Sequence, residues 1–264
     1  MTSIVLVGPR CVGKTEKGKL LAALRNIPFV DADEAFEKEH GKSIAKFVKE
    51  NGDQGWQEFR KYECRGLYAL TDAYSNQDIV LTPGGGAVAH DQGESYRVQN
   101  VGLLRGFGTV VYLLPFEDNL LHNSVELTCR IVTDPRSADL RPKLLKDKDI
   151  KKAEEDKREM SFLELFIRTY QGESNEPGVV CKAANDAYEA LSLMHHYIPS
   201  LSLDGIFTIT ARNPLEDKFV KEFVDMHVTL GKRNPLYKAA AHHIVYTGDM
   251  TSVQAAHRIN ALVK

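Results

Sequence analysis

No stretch of this sequence approaches the roughly 20 consecutive apolar residues of a membrane span, and the start of the chain lacks the long apolar core and small-residue cleavage site of a secretion signal. Cysteine is scarce. Cys11, Cys64, Cys129 and Cys181 are scattered without close pairs, a pattern that favours reduced thiols over a disulfide or zinc framework. These absences together predict a cytoplasmic location. Excess charge of either sign is missing too: 34 basic and 36 acidic residues leave a formal charge of −2. No global field therefore recruits nucleic acid or a membrane surface, and any phosphate binding has to be local. Internal repeats are also lacking. What is present is 264 residues, 43% of them hydrophobic and 27% charged, enough to bury a core in one domain or in one domain with a substantial insertion.

Short apolar runs bounded by turn residues alternate with longer amphipathic stretches. Ile4–Val7 precedes a helix from about Lys14 to Leu24, Phe29–Val30 precedes a helical stretch through Phe47 and Val48, and Ile79–Leu81 and Val110–Leu113 continue the series. Strands separated by helices imply right-handed crossovers and a parallel sheet covered on both faces, an α/β fold with its site at the carboxyl ends of the strands. Residues 145–230 read as a mostly helical insertion. It opens on the charge-dense Lys146-Asp147-Lys148-Asp149 and holds predicted helices over Lys151–Tyr170 and around Ala183–His196, with a strand at Ile206–Thr210. The α/β pattern resumes at Ile244–Tyr246 and a helix from Ser252, so the chain reads as one domain over 1–264 with this insertion.

Gly8-Pro9-Arg10-Cys11-Val12-Gly13-Lys14-Thr15 fits G-x-x-x-x-G-K-[ST] and lies between a predicted strand and a predicted helix. In such a loop the backbone N–H groups and the helix N-terminus cradle phosphates, the lysine bridges the β- and γ-phosphates, and the hydroxyl ligates Mg²⁺. Gly8, Cys11, Val12, Gly13, Lys14, Thr15 and Glu16 are the expected nucleotide contacts. Asp31 and Asp33 follow a short apolar run beside this loop. Alone they read as helix caps; with the loop upstream, one orients the Mg²⁺ hydration shell and the other accepts a hydroxyl proton. Arg60 offers a planar fork to a carboxylate with Glu63 three residues on to hold it, or else the two form a solvated ion pair. Gly84, Gly85 and Gly86 remove every side chain where a ligand could approach the backbone. The pairs His195-His196 and His242-His243 read as structural or solvated rather than as metal ligands.

The order and spacing of these pieces resemble the shikimate kinase family. The match runs through the phosphate loop, Gly18, Asp31-x-Asp33, Gly41-Lys42-Ser43-Ile44, Phe59-Arg60-x-x-Glu63 and the triple glycine. It continues with Val110-Val111-Tyr112-Leu113, Leu140-Arg141-Pro142 and Arg233-Asn234-Pro235-Leu236-Tyr237. The resemblance implies a small P-loop kinase with a three-layer fold, a five-stranded parallel sheet and a mobile lid, acting with ATP and Mg²⁺. It implies that Asp33, Arg60, Gly84–Gly86 and Arg233 hold the acceptor, with Asp33 at the hydroxyl that is phosphorylated. Thr15, Asp31 and Thr82 lie near Mg²⁺, Arg141 reaches the transferring phosphoryl group, and Arg130 or Arg136 covers the adenine. Lys14, Asp33 and Arg141 are the implied catalytic set.

Two departures stand out. Cys11 occupies a position that is usually glycine in that family, and 92 positions separate Arg141 from Arg233, far more than the usual spacing. Two arginines facing one small acceptor argue for a carboxylate on it, which favours shikimate. Gluconate or another hydroxy acid is the nearest enzymatic alternative, and a catalytically inactive nucleotide-binding regulatory module is the non-enzymatic one. The expected partner is an anionic hydroxylated small molecule, with no nucleic acid or membrane, in a monomer or small homo-oligomer.

Overall fold

The computed structural model describes residues 3–117, 119–133 and 214–263. The expected helices at Lys151–Tyr170 and Ala183–His196 and the strand at Ile206–Thr210 lie outside the described residues, as do Arg136, Arg141 and His195-His196. The chain divides into two compact units, Met1–Glu117 with Arg233–Lys264, and Asp118–Lys232.

The first unit is built on five strands: β1 (Ser3–Val7), β2 (Phe29–Asp31), β3 (Val80–Thr82), β4 (Gly108–Leu114) and β5 (His243–Tyr246). Their order is β2-β3-β1-β4-β5, and every pairing is parallel. The central strands carry unbroken apolar runs, as a sheet covered on both faces requires: Ile4, Val5 and Leu6 of β1 and Val111, Tyr112, Leu113 and Leu114 of β4 are wholly buried. Between them run α1 (Lys14–Arg25), α2 (Ala32–His40), α3 (Ile44–Glu50), α4 (Gly55–Ala73) and α5 (Glu94–Phe107).

Local chemistry sets the helix ends. Asp31 caps α2 by accepting from the N–H groups of Asp33 and Glu34, and Ser43 caps α3 by accepting from Lys46 N–H, each satisfying donors that a first turn leaves without intrahelical partners. Two further described helices are α6 (Leu120–Thr133) and α7 (Pro214–Ala240), and α8 (Ser252–Leu262) completes the first unit. Thr251 and Gln254 close a reciprocal capping box at the start of α8. Residues 233–240 of α7 belong to the first unit, where the Arg105 guanidinium accepts the helix end by donating to Ala240 O at 3.1 Å.

In the second unit, α6 carries two hydroxyls bonded back along the helix, Ser124 to Leu120 O and Thr128 to Ser124 O, both at 2.7 Å. His227 Nδ1 lies 3.2 Å from Ser124 Oγ, and Val125, Leu127, Ile131, Phe223, Met226 and Leu230 are buried. Among the described residues no helix is long and apolar enough to cross a membrane, and neither Cys11 nor Cys64 is in a disulfide.

Helices α2, α3 and α4 form a small aromatic layer of their own. Phe36, Phe47 and Phe59 are buried, with Ile44, Val48, Trp56 and Tyr62 packed against them. Phe36 is the hub: its ring meets Phe47 and Phe59 edge to face at 5.2 and 5.1 Å and stacks on His40 at 4.1 Å, separations at which aromatic pairs add to simple burial. This layer fixes α2 and α4, the helices that bear Asp33, Arg60 and Glu63. Phe36→Ala is expected to cost about 3 kcal/mol of unfolding free energy, the scale for a buried Phe truncation, as read from urea denaturation.

Candidate active site

The phosphate loop closes on its own lysine. Lys14 Nζ donates to Gly8 O at 3.0 Å and Pro9 O at 2.9 Å, and burial pushes its ammonium below the usual lysine range, against the opposing pull of Asp33, Cys11 and Asp31. Gly13 caps α1 in the left-handed region at φ 84°. Cys11 adopts φ 61°, a conformation that costs a residue with a Cβ about 1–2 kcal/mol. A glycine would carry no such penalty, so the departure noted in the sequence is a strained one.

Beside the loop, Thr15 Oγ1 donates to Asp31 Oδ2 at 2.9 Å, while the other oxygen of Asp31 takes Asp33 N–H at 3.0 Å. The cap reading of Asp31 is therefore realised through one oxygen, and its other oxygen is turned to the Thr15 hydroxyl of the phosphate loop. Thr82 is paired with Asp31 across the β2–β3 register. It is buried, and its Oγ1 has no hydrogen-bond partner among the described residues. A carboxylate and two hydroxyls, one of them a buried oxygen without a partner among the described residues, fit a hard, hydrated cation, which takes oxygen ligands and keeps several waters.

Asp33 and Arg60, two of the residues expected to hold the acceptor, meet on the Gly84-Gly85-Gly86 turn. A Cβ on Gly84 would lie 2.5 Å from Asp33 Oδ1 and 2.8 Å from Glu63 Oε1, and one on Gly86 would meet the Arg60 guanidinium, with its Cζ at 2.7 Å. A Cβ on Gly85 would lie 3.8 Å from Lys14 Nζ. Arg60 Nη1 donates to both carboxylate oxygens of Glu63 at 2.8 Å, and both side chains are about 95% buried, so the solvated ion-pair reading of Arg60 and Glu63 is overturned. Arg60 Nε has no partner among the described residues, a donor left available on a guanidinium that lies 5.4 Å from the Trp56 ring. Such a buried pair holds its geometry because leaving either charge alone is costly.

The two acids here are poised near neutrality. Burial raises the Asp33 carboxyl to about 6, with Asp31 adding to the rise and Lys14 and Arg60 opposing it. Burial likewise raises Glu63 to about 7 against the pull of Arg60. Arg233, half-buried near the end of α7, acts on Glu63 and also on His90, whose imidazole burial and the charges of Arg60, Arg97 and Arg233 push down to about 3. Arg130 is held by Glu126 of α6 at 2.8 Å. His242 Nδ1 accepts from Val110 N–H at 2.9 Å, a structural role, and no cluster of three or more metal-ligating side chains of the His, Cys, Asp and Glu type occurs among the described residues.

A family model described as "Shikimate kinase" matches residues 10–182. The chain belongs to the shikimate kinase family. Curated relatives include the shikimate kinases of Thioalkalivibrio sulfidiphilus, 40% identical over 112 residues (42% of this chain, 52% of the relative), and Nitrosomonas europaea, 40% over 111 residues (42% and 46%). The chain thus spans about half the length of the curated relatives it matches. Among solved structures, shikimate kinase from Acinetobacter baumannii in complex with shikimate has the same fold, with a TM-score of 0.52 at 23% identity over 99% of this chain and 92% of that one.

Sequence reasoning did not single out two buried residues beside the candidate site: His90, four positions past the triple glycine, and Tyr237, whose hydroxyl donates to Gly85 O. Tyr237 lay in view within the Arg233–Tyr237 motif, but neither residue has a local pattern that reveals its tertiary partner.

The raised Asp33 acidity gives a test with a definite sign. Between about pH 4 and pH 6 the folded chain retains a proton on Asp33 that the unfolded chain has released, so this group lowers stability as pH rises, and the full cost is present at pH 7. Asp33→Asn is expected to be more stable than the parent at pH 7, with the difference vanishing below pH 4, as measured by denaturant titration at both pH values.

Proposed function

We propose that this chain is an ATP:shikimate 3-phosphotransferase, moving the γ-phosphoryl group of ATP to a ring hydroxyl of shikimate and releasing ADP, a step of aromatic amino acid biosynthesis. The observation that carries the reading is the convergence of a phosphate-loop lysine, a carboxylate near neutral acidity and a buried arginine on one side-chain-free turn. Membership of the shikimate kinase family supports the acceptor.

In this reading Lys14 leaves the Gly8 and Pro9 carbonyls to meet the β- and γ-phosphates, while the loop N–H groups from Gly8 to Glu16 and the start of α1 hold the remaining phosphate oxygens. Thr15 would hold Mg²⁺ directly with Asp31 and Thr82 beside it, and the ion would supply charge neutralisation at the phosphates. Arg60 and Arg233 take the acceptor carboxylate, and the glycine turn admits its ring to within reach of Asp33. The acceptor oxygen then forms a bond to the γ-phosphorus as the bond to the β–γ bridging oxygen breaks. ADP departs with that electron pair, and the hydroxyl proton passes to Asp33, whose acidity near 6 suits a base working close to neutrality. Arg141 completes the charge neutralisation at the phosphoryl group, and Arg130 or Arg136 covers the adenine. A cytoplasmic location and a monomer or small homo-oligomer complete the proposal.

Acceptor-dependent ADP release across shikimate, gluconate and no acceptor tests this. Shikimate is expected to drive turnover and Lys14→Ala to abolish it while the far-ultraviolet circular dichroism stays that of the parent. Gluconate-dependent turnover in place of shikimate would reassign the acceptor, and ATP binding without turnover on any acid would make the chain a regulatory module.

A further inference from the structure

The end of α7 is attached to the first unit through two stacked tyrosines. Tyr237 is 1% exposed, and its ring lies 5.0 Å from that of Tyr112 on β4 at an interplanar angle of 19°. Phenylalanine would fill both places equally well, and a buried hydroxyl is unfavourable unless it is paired. Each hydroxyl here has a separate partner. Tyr112 donates to Asn234 Oδ1 at 3.0 Å, which locks α7 to the sheet. Tyr237 donates to Gly85 O, the middle residue of the glycine turn, and also shares a side-chain hydrogen bond with Arg233, one helical turn earlier.

The geometry points to Tyr237 as a positioning residue for the acceptor: its hydroxyl ties the Arg233 guanidinium and the Gly85 carbonyl into one unit, setting the distance between the carboxylate-binding arginine and the turn that seats the ring. This rests on the shikimate reading of the site. Arg233 is half-buried near the end of a helix, and a long side chain loses rotamer freedom when fixed. Bonding to Tyr237 restricts it before the acceptor arrives, which is the pre-organisation that raises affinity without a new ligand contact. The hydroxyl keeps its proton for this purpose, because burial pushes the phenol up to about 12. The partners of the Tyr237 hydroxyl, Gly85 O and Arg233, lie outside the phosphate loop, so nucleotide affinity should be insensitive to it.

Tyr237→Phe keeps the stacked ring and removes only the hydroxyl, and Tyr112→Phe removes the other hydroxyl of the stack without touching Arg233 or Gly85. In the full chain, Tyr237→Phe is expected to raise the KM for shikimate about tenfold, the size of one charge-assisted hydrogen bond, with the KM for ATP within about twofold of the parent. Tyr112→Phe is expected to leave the shikimate KM within the same twofold range. Combining Tyr237→Phe with Arg233→Lys should raise it no further than Arg233→Lys alone, since one acts through the other. An unchanged shikimate KM in Tyr237→Phe, an equal rise in the KM for ATP, or an equal effect from Tyr112→Phe would each overturn the proposal while leaving the kinase assignment intact. A parent chain without shikimate-dependent turnover would overturn the kinase assignment first, and the role of Tyr237 with it.

Discussion

The site depends on a turn that has no side chains. Gly84 yields to Asp33 and Glu63, Gly86 yields to the Arg60 guanidinium, and Gly85 lies between Lys14 on one side and the Tyr237 hydroxyl on the other. Any Cβ on Gly84 or Gly86 would occupy the place of a side-chain polar atom of Asp33, Glu63 or Arg60. The proposed phosphoryl transfer makes few covalent demands on a protein and large positional ones. A bare backbone turn at the end of β3 lets groups from α1, α2, α4 and α7 approach one point.

Burial at the same turn also sets the acidities. Asp33 and Glu63 meet at the same turn and are both buried enough to hold protons near neutrality, despite the guanidinium beside them. Desolvation outweighs the arginine in each case, which is the usual order when carboxylates share a site. The aromatic layer around Phe36 holds α2 and α4 in place against this concentration of buried charge, and the stacked pair of Tyr112 and Tyr237 does the same for the end of α7.

Much of this was legible in the sequence because it is local. The five strands appear as apolar runs within one or two residues of their observed bounds, and the phosphate loop is a contiguous motif whose conformation follows from Gly13 and the helix behind it. Asp31 was ambiguous for a physical reason, since one of its oxygens caps α2 while the other meets the Thr15 hydroxyl of the phosphate loop. The burial of Arg60 and Glu63 was not legible, because an i,i+3 pair looks the same on a wet face and a dry one. Nor was Tyr237, whose partner lies far away along the chain: a spacing of 152 residues joins it to Gly85, and no periodicity encodes such a contact. The left-handed Cys11 was visible as a departure from the family, whereas its strain needed the backbone angle to be seen.

The central claim is that the bare turn seats the acceptor arginine, and the sequence contains a built-in reporter for it. Trp56 is the only tryptophan and its ring lies 5.4 Å from the Arg60 guanidinium, so its fluorescence should follow occupancy of the acceptor site. Titration with shikimate is predicted to give a saturable change in the parent and none in Gly86→Ala, whose added methyl displaces the Arg60 guanidinium, while both bind a non-hydrolysable ATP analogue equally. A Gly86→Ala chain that takes up shikimate with the affinity of the parent would contradict the account.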